Sequence, residues 1–181
     1  MKTTMLIVLS LLLLAAPPPA VADTPARDAS FVGKPSPDFT VTNLDAKKLS
    51  LKVLLESRKV VVVNFWGLRC AACIEEMPPL NAIFNKFRDS IAVLGINTDG
   101  VDGPTLKDLM KEASLSVDYE IVPDPEFKMV DIFKLAAAPL TIVIDSRGVV
   151  GYRHEDYKPG DEKELEDVIR NMLDGKASAS R

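Results

Sequence analysis

The sequence has little of what holds metals or staples small folds. Its 181 residues include two cysteines, Cys70 and Cys73, and one histidine, His154. The histidine lies far along the chain from both thiols, so a surface or packing role is expected of it. Excess positive charge is missing too: 22 Lys and Arg stand against 26 Asp and Glu, a net −4. That balance offers no basic face for nucleic acid or an anionic membrane surface. The longest apolar run, Met5 to Ala16, falls short of the ~20 residues that span a bilayer. Repeats and long low-complexity tracts are also missing.

What the start of the chain does have is the pattern of a secretory leader. Met1-Lys2 is a short basic start, Met5 to Ala16 an apolar middle, and Ala20-Val21-Ala22 a small-x-small cleavage pattern ahead of Asp23. Residues 1–22 are therefore expected to be a signal peptide of an exported protein, residues 23–30 a linker, residues 31–175 the folded domain and residues 176–181 a tail. No cysteine follows the cut, so nothing supports a lipid-modified terminus. Loss of Lys2 leaves 21 basic and 26 acidic residues, a net −5.

The two thiols fall together in Asn64-Phe65-Trp66-Gly67-Leu68-Arg69-Cys70-Ala71-Ala72-Cys73. Val60 to Phe65 is β-branched and apolar on both parities, the pattern of a strand buried on both faces. A helix is expected to follow. Residues i and i+3 share one helical face and meet the ~4.4–6.8 Å Cα window of a disulfide, so Cys70 and Cys73 can close on each other. So short a loop takes little entropy from the unfolded chain, which makes a structural staple a poor explanation. Redox chemistry is the better one. At the first turn of a helix the unpaired N–H groups and the helix dipole stabilise an anion, and Arg69 adds positive charge beside the thiol.

The rest of the chain alternates strands and helices. Phe39 to Asn43 reads as an edge strand, Leu44 to Lys48 as a turn into a hairpin partner, and Ser50 to Glu56 as a short helix. Beyond Cys70, Ile74, Met77, Leu80, Phe84 and Phe87 mark the core face of one helix ending near Arg88, with a kink expected where Pro78-Pro79 interrupts it. Ile91 to Asn97 is a second buried strand. A helix through Leu106, Leu109, Met110 and Ala113 follows, then a strand at Tyr119 to Val122 and a helix at Glu126 to Phe133. Leu140 to Ile144 and Val149 to His154 form a closing hairpin about Ser146-Arg147-Gly148. Asp161 and Glu164 look like a capping box for a last helix with Leu165, Val168, Ile169 and Met172 on its apolar face, ended by Gly175. Trp66 is expected to pack beneath the thiols.

Asn64-Phe65-Trp66-Gly67, Cys70-Ala71-Ala72-Cys73, Glu76-Met77-Pro78 and Ala138-Pro139-Leu140-Thr141-Ile142-Val143-Ile144-Asp145 together resemble the thioredoxin superfamily, and within it the exported TlpA/ResA-type thiol-disulfide oxidoreductases. The resemblance runs from about Phe31 to Leu173. It implies an α/β fold: a central mixed sheet flanked by helices, an N-terminal β-hairpin, and a strand-helix insertion at Tyr119 to Phe133. It implies Cys70 as attacking thiolate, Cys73 as resolving thiol, and Pro139 as a cis-proline beside them. There the Ala138 backbone could pair with a substrate strand. Glu76, one turn after Cys73 on the same face, takes the place of a buried acid that passes protons. Asn64 stands where cytosolic relatives carry another acid and cannot titrate. The alternative for Glu76 is a solvated helix glutamate.

The same resemblance implies no cofactor beyond a redox-active Cys70–Cys73 disulfide, protein thiols and disulfides as substrates, a membrane thiol donor, a monomer, and a place outside the cytoplasm. Apocytochrome c is one client class it suggests, in the reducing direction, although compartment poise alone would allow an oxidase. Two departures touch the redox poise: Arg69 replaces the usual aromatic residue, and Ala71-Ala72 the usual proline-containing dipeptide. A Cu(I) module using both thiolates is a different class of reading, which lacks an obvious third ligand. A peroxidase is another, since Pro37-Asp38-Phe39 resembles the start of peroxiredoxins. That family's threonine three residues before its reactive cysteine is here Gly67.

Overall fold

The structure, a computed structural model, describes residues 31–176; the leader, the linker and nearly all of the tail expected from the sequence lie outside them. Among the described residues no helix is long and apolar enough to cross a membrane.

A short hairpin comes first, β1 (Thr40–Thr42) against β2 (Lys48–Ser50), with Thr40 opposite Ser50. It forms its own two-stranded sheet rather than an edge of the main one. The Leu44 N–H ties it to the carbonyl of Ile121 at 3.0 Å. Ser50 then caps α1 (Leu51–Ser57), its hydroxyl accepting from the Val53 N–H. This is the usual work of an N-cap serine.

The main sheet has five strands in the order β5-β4-β3-β6-β7: Glu120–Pro123, Ile91–Asn97, Val60–Trp66, Leu140–Ile144 and Val150–Glu155. β3 runs parallel to β4 and antiparallel to β6. Every residue of β3, β4 and β6 is buried, which is why these strands carry apolar side chains on both parities. Val61, Val63 and Phe65 face α1, the hairpin and α4 (Lys128–Phe133), where Phe133 meets the rings of Phe31, Phe39 and Phe65 at 5.7–6.1 Å. Val60, Val62 and Trp66 face α2 (Ala71–Phe87), α3 (Gly103–Glu112) and α5 (Asp161–Leu173). Each fully buried valine or leucine is worth about 1.5–3 kcal/mol against exposure, so the two faces hold the sheet between layers.

Two local expectations are corrected. The buried ridge of α2 is Cys73, Glu76, Met77, Leu80 and Ile83, whereas Ile74, Phe84 and Phe87 are only partly buried. The helix turns its sulfur and carboxyl side to the sheet, and Phe84 instead meets Tyr119 edge-on at 6.2 Å. α2 runs as one helix through Pro78 and Pro79, as its apolar spacing implied. The capping box at Asp161 does not form: the cap is Gly160, with φ +112° and no side-chain bond. Asp161 Oδ2 accepts instead from the Lys158 N–H and lies 3.1 Å from His154 Nε2.

Candidate active site around Cys70 and Cys73

β3 ends at Trp66 and α2 begins at Ala71, and the four residues between carry the chain from the sheet's centre to its end. This loop is latched from below. The Thr98 N–H and hydroxyl both donate to the Trp66 carbonyl, at 2.9 and 3.1 Å. Asp99 Oδ2 accepts from the Leu68 N–H at 2.8 Å and from Asn97 Nδ2 at 2.7 Å. Nothing in the sequence marks Asp99 as part of the site, since its partner lies 31 residues away.

Cys70 is the N-cap of α2 and Cys73 lies in its first turn. Their sulfurs are bonded, with Cα atoms 5.2 Å apart. The two differ in access: Cys73 is 1 % exposed, while Cys70 is partly open. A partner's sulfur can therefore reach Cys70 and not Cys73. Cys70 Sγ also accepts from the Cys73 N–H at 3.2 Å. In a reduced Cys70 that bond would be charge-assisted, and with the helix dipole it favours the thiolate. Arg69 is exposed beside it.

The Ala138–Pro139 peptide is cis, and Pro139 is buried at the mouth of β6. The Ala138 carbonyl oxygen lies 3.7 Å from Cys70 Sγ. A disulfide sulfur has no proton to give, so this is a contact; a Cys70 thiol could donate across it. Trp66 is fully buried beneath the loop.

Glu76 is 5 % exposed, on the same face of α2 as Cys73. Oε1 accepts from the Thr141 hydroxyl at 2.7 Å, and Oε2 from Asn64 Nδ2 at 2.9 Å. Asn64 Nδ2 also donates to Thr141 Oγ1 at 2.9 Å, closing a ring of three side chains. Strand register creates it: Asn64 on β3 stands opposite Thr141 on β6, under the helix that carries Glu76. Burial raises the carboxyl's pKa above its ordinary value, and the bonds from Thr141 and Asn64 offset part of the rise. Glu76 is thus no solvated helix glutamate. It is a buried acid whose protonated form is more favoured than that of a free glutamate.

The structure brings Cys70, Cys73 and Pro139 to one end of the sheet, and holds Glu76 on the helix behind Cys73. Of the surface or packing role expected of His154, the structure shows packing. Its ring stacks on Tyr152 and borders a small cavity shared with Glu76. Met77 is 3 % exposed in the core, turned away from any role as a soft ligand.

Residues 32–153 match the AhpC/TSA family. The chain is 30% identical over 120 residues to the thiol-disulfide oxidoreductase ResA of Bacillus cereus, a span of 66% of this chain and 66% of that protein. It is also 30% identical over 134 residues to the thiol:disulfide interchange protein DsbE of Xylella fastidiosa, covering 74% of this chain and 66% of that one. The match therefore spans a little under two thirds of the length of these relatives. Among solved structures, the thioredoxin domain of a thiol-disulfide oxidoreductase from Bacteroides vulgatus superposes with a TM-score of 0.62, at 22% identity, over 78% of this chain and 97% of that one. That likeness is one of fold.

Proposed function

The chain belongs to the AhpC/TSA family of thioredoxin-like proteins, and on that premise we propose that it is an extracytoplasmic thiol-disulfide oxidoreductase that reduces disulfides in other proteins. The observation that carries this is the Cys70–Cys73 pair at the head of α2, one sulfur open to a partner and the other shielded.

The chemistry follows from that asymmetry. Cys70, as thiolate, attacks one sulfur of a client disulfide; that bond breaks and the departing client sulfur leaves as a thiolate and takes a proton. A mixed disulfide now joins Cys70 to the client. The Cys73 thiol gives its proton to the Glu76 carboxylate, and its sulfur attacks Cys70 Sγ. The client's second sulfur leaves, and two electrons have passed from the protein's dithiol to the client. A thiol donor resets the pair by the reverse exchange. The cis Ala138–Pro139 segment beside Cys70 is where a client strand would lie.

Relatives named thiol-disulfide oxidoreductase ResA and thiol:disulfide interchange protein DsbE support disulfide exchange. The leader pattern of residues 1–22 supports export, and the reducing direction with a client such as apocytochrome c is the class we propose. A redox titration of the mature chain tests the direction. A potential near that of thioredoxin, about −270 mV, is expected, and one near the strong oxidants, about −120 mV, would reverse the assignment.

A peroxidase is the second reading, prompted by the family match and by Pro37-Asp38-Phe39. Gly67 stands three residues before Cys70, with Asp99 Oδ1 3.3 Å from where its Cβ would be. Residue 67 carries no hydroxyl of its own, and that of Thr98, 3.7 Å from the same point, donates to the Trp66 carbonyl. Thiol-dependent consumption of hydrogen peroxide, faster than disulfide reduction, would favour this reading.

A further inference from the structure

Beside Glu76 the fold leaves a cavity with about 10 Å³ open to the centre of a water, close to the least that holds one. Its walls include Glu76, Thr141, Tyr152, His154, Tyr157 and Asp161, and no atom of either cysteine. The Tyr152 hydroxyl is buried and has no hydrogen-bond partner among the described residues. Buried hydroxyls nearly always have one, so a water is the natural occupant. On the cavity's outer side His154 Nε2 and Asp161 Oδ2 lie 3.1 Å apart, with side chains 30% and 33% exposed. On its inner side is Glu76, which at 5 % exposure has almost no direct access to solvent.

We propose that this cavity holds one water and is the path by which the proton of Glu76 reaches solvent, with Asp161 as the outer acceptor and Tyr152 and His154 as its positioning residues. The inference rests on Glu76 taking the proton of Cys73. Each closure then loads Glu76 with a proton, which returns to Cys73 when the donor opens the disulfide or exchanges with solvent while the pair stays closed. The O–H bond of Glu76 breaks as the water takes the proton. The water passes one of its own protons to the Asp161 carboxylate, which releases it to bulk solvent. The net change is one proton moved from Glu76 to solvent, with the water restored.

Asp161 is held for this by the Lys158 N–H at 2.8 Å and by His154 Nε2. The groups facing this path are His154 and Tyr152 on β7, Tyr157 after it, and Asp161, Glu162 and Glu164 on α5; Tyr119, ahead of β5, senses Glu76 from the other side. After burial and the two side-chain bonds, His154 lowers and Asp161 raises the pKa of Glu76. The outer pair is thus close enough to feel its charge.

The test follows the Glu76 carboxyl by carbon NMR across pH in the oxidised chain, assigned with Glu76→Gln, in parallel with the rate of Cys70–Cys73 closure. Asp161→Asn should move the Glu76 midpoint down, and His154→Gln should move it up. A water exchange peak to the Tyr152 hydroxyl should be present, and absent in Tyr152→Phe. Closure that slows in Glu76→Gln, with a midpoint unmoved by both outer variants or no water at Tyr152, overturns the outlet and leaves the role of Glu76 standing. Closure indifferent to Glu76→Gln overturns the role itself.

Discussion

The Thr141 hydroxyl donates to Glu76 Oε1 at 2.7 Å across 65 residues of chain. It makes the carboxyl behind the dithiol a hydrogen-bonded acid rather than a bare one. Thr141→Val removes the donor and leaves the shape nearly unchanged. Because that bond lowers the Glu76 pKa, its loss should raise the midpoint further, and Thr141→Ser should restore it. Carbon NMR of the Glu76 carboxyl reads both.

Stability should follow the same group. Burial holds the folded-state pKa of Glu76 above its ordinary 4.5, so the fold binds this proton more tightly than the unfolded chain does. Its contribution is complete below pH 4.5 and is lost as the pH rises through the folded value. Urea denaturation from about pH 4 to 8 should show that decline in the parent chain. Glu76→Gln should flatten it and be the more stable of the two at neutral pH.

Glu76→Gln should slow the closure of the mixed disulfide on the order of a hundredfold, the usual size of a general base's contribution. The first attack by Cys70 should change little. Stopped-flow fluorescence of Trp66, the one tryptophan of the chain, separates the two steps.

Asp99→Ala frees the Leu68 N–H from its 2.8 Å bond. We expect a loss of about 1 kcal/mol and faster amide exchange at Leu68. The rate of attack at Cys70 should fall more than the thermal midpoint does. Asp99→Asn should recover most of it.

Asp124 is 5 % exposed and its Oδ2 accepts from the N–H groups of Met129 and Val130 at 3.0 and 3.1 Å. It anchors α4, whose cap residue Phe127 has no side-chain bond of its own. Asp124→Ala should cost about 1–2 kcal/mol with thiol exchange unaffected, which separates support of the insertion from chemistry at the dithiol.

Much of the site is legible in the chain because it is local. A β-branched run, two thiols one turn apart and a helix beginning between them are written in consecutive residues, and the structure places Cys70 as N-cap and Cys73 one turn in. Pro139 is readable only through the resemblance, since no local signal marks a cis bond. Thr141 and Asp99 are not legible as site residues. Thr141 sits in a buried strand, and it meets Asn64 only through the β3–β6 register, which the turn-rich segments between them do not specify. The surface or packing role expected of His154 rests on sequence distance alone, which hides that β7 carries it back alongside Thr141. The α2 face departs from its apolar periodicity for a related reason: counting apolar residues passes over Glu76, whose burial depends on partners from two strands.

The most direct test of the account is a trapping experiment on residues 23–181 with a disulfide-containing client. Cys73→Ser should accumulate a mixed disulfide through Cys70, resolved by added dithiol, and Cys70→Ser should accumulate none. An adduct through Cys73 in Cys70→Ser, or no adduct in Cys73→Ser, would contradict the assignment of the open sulfur as nucleophile and the shielded one as resolver.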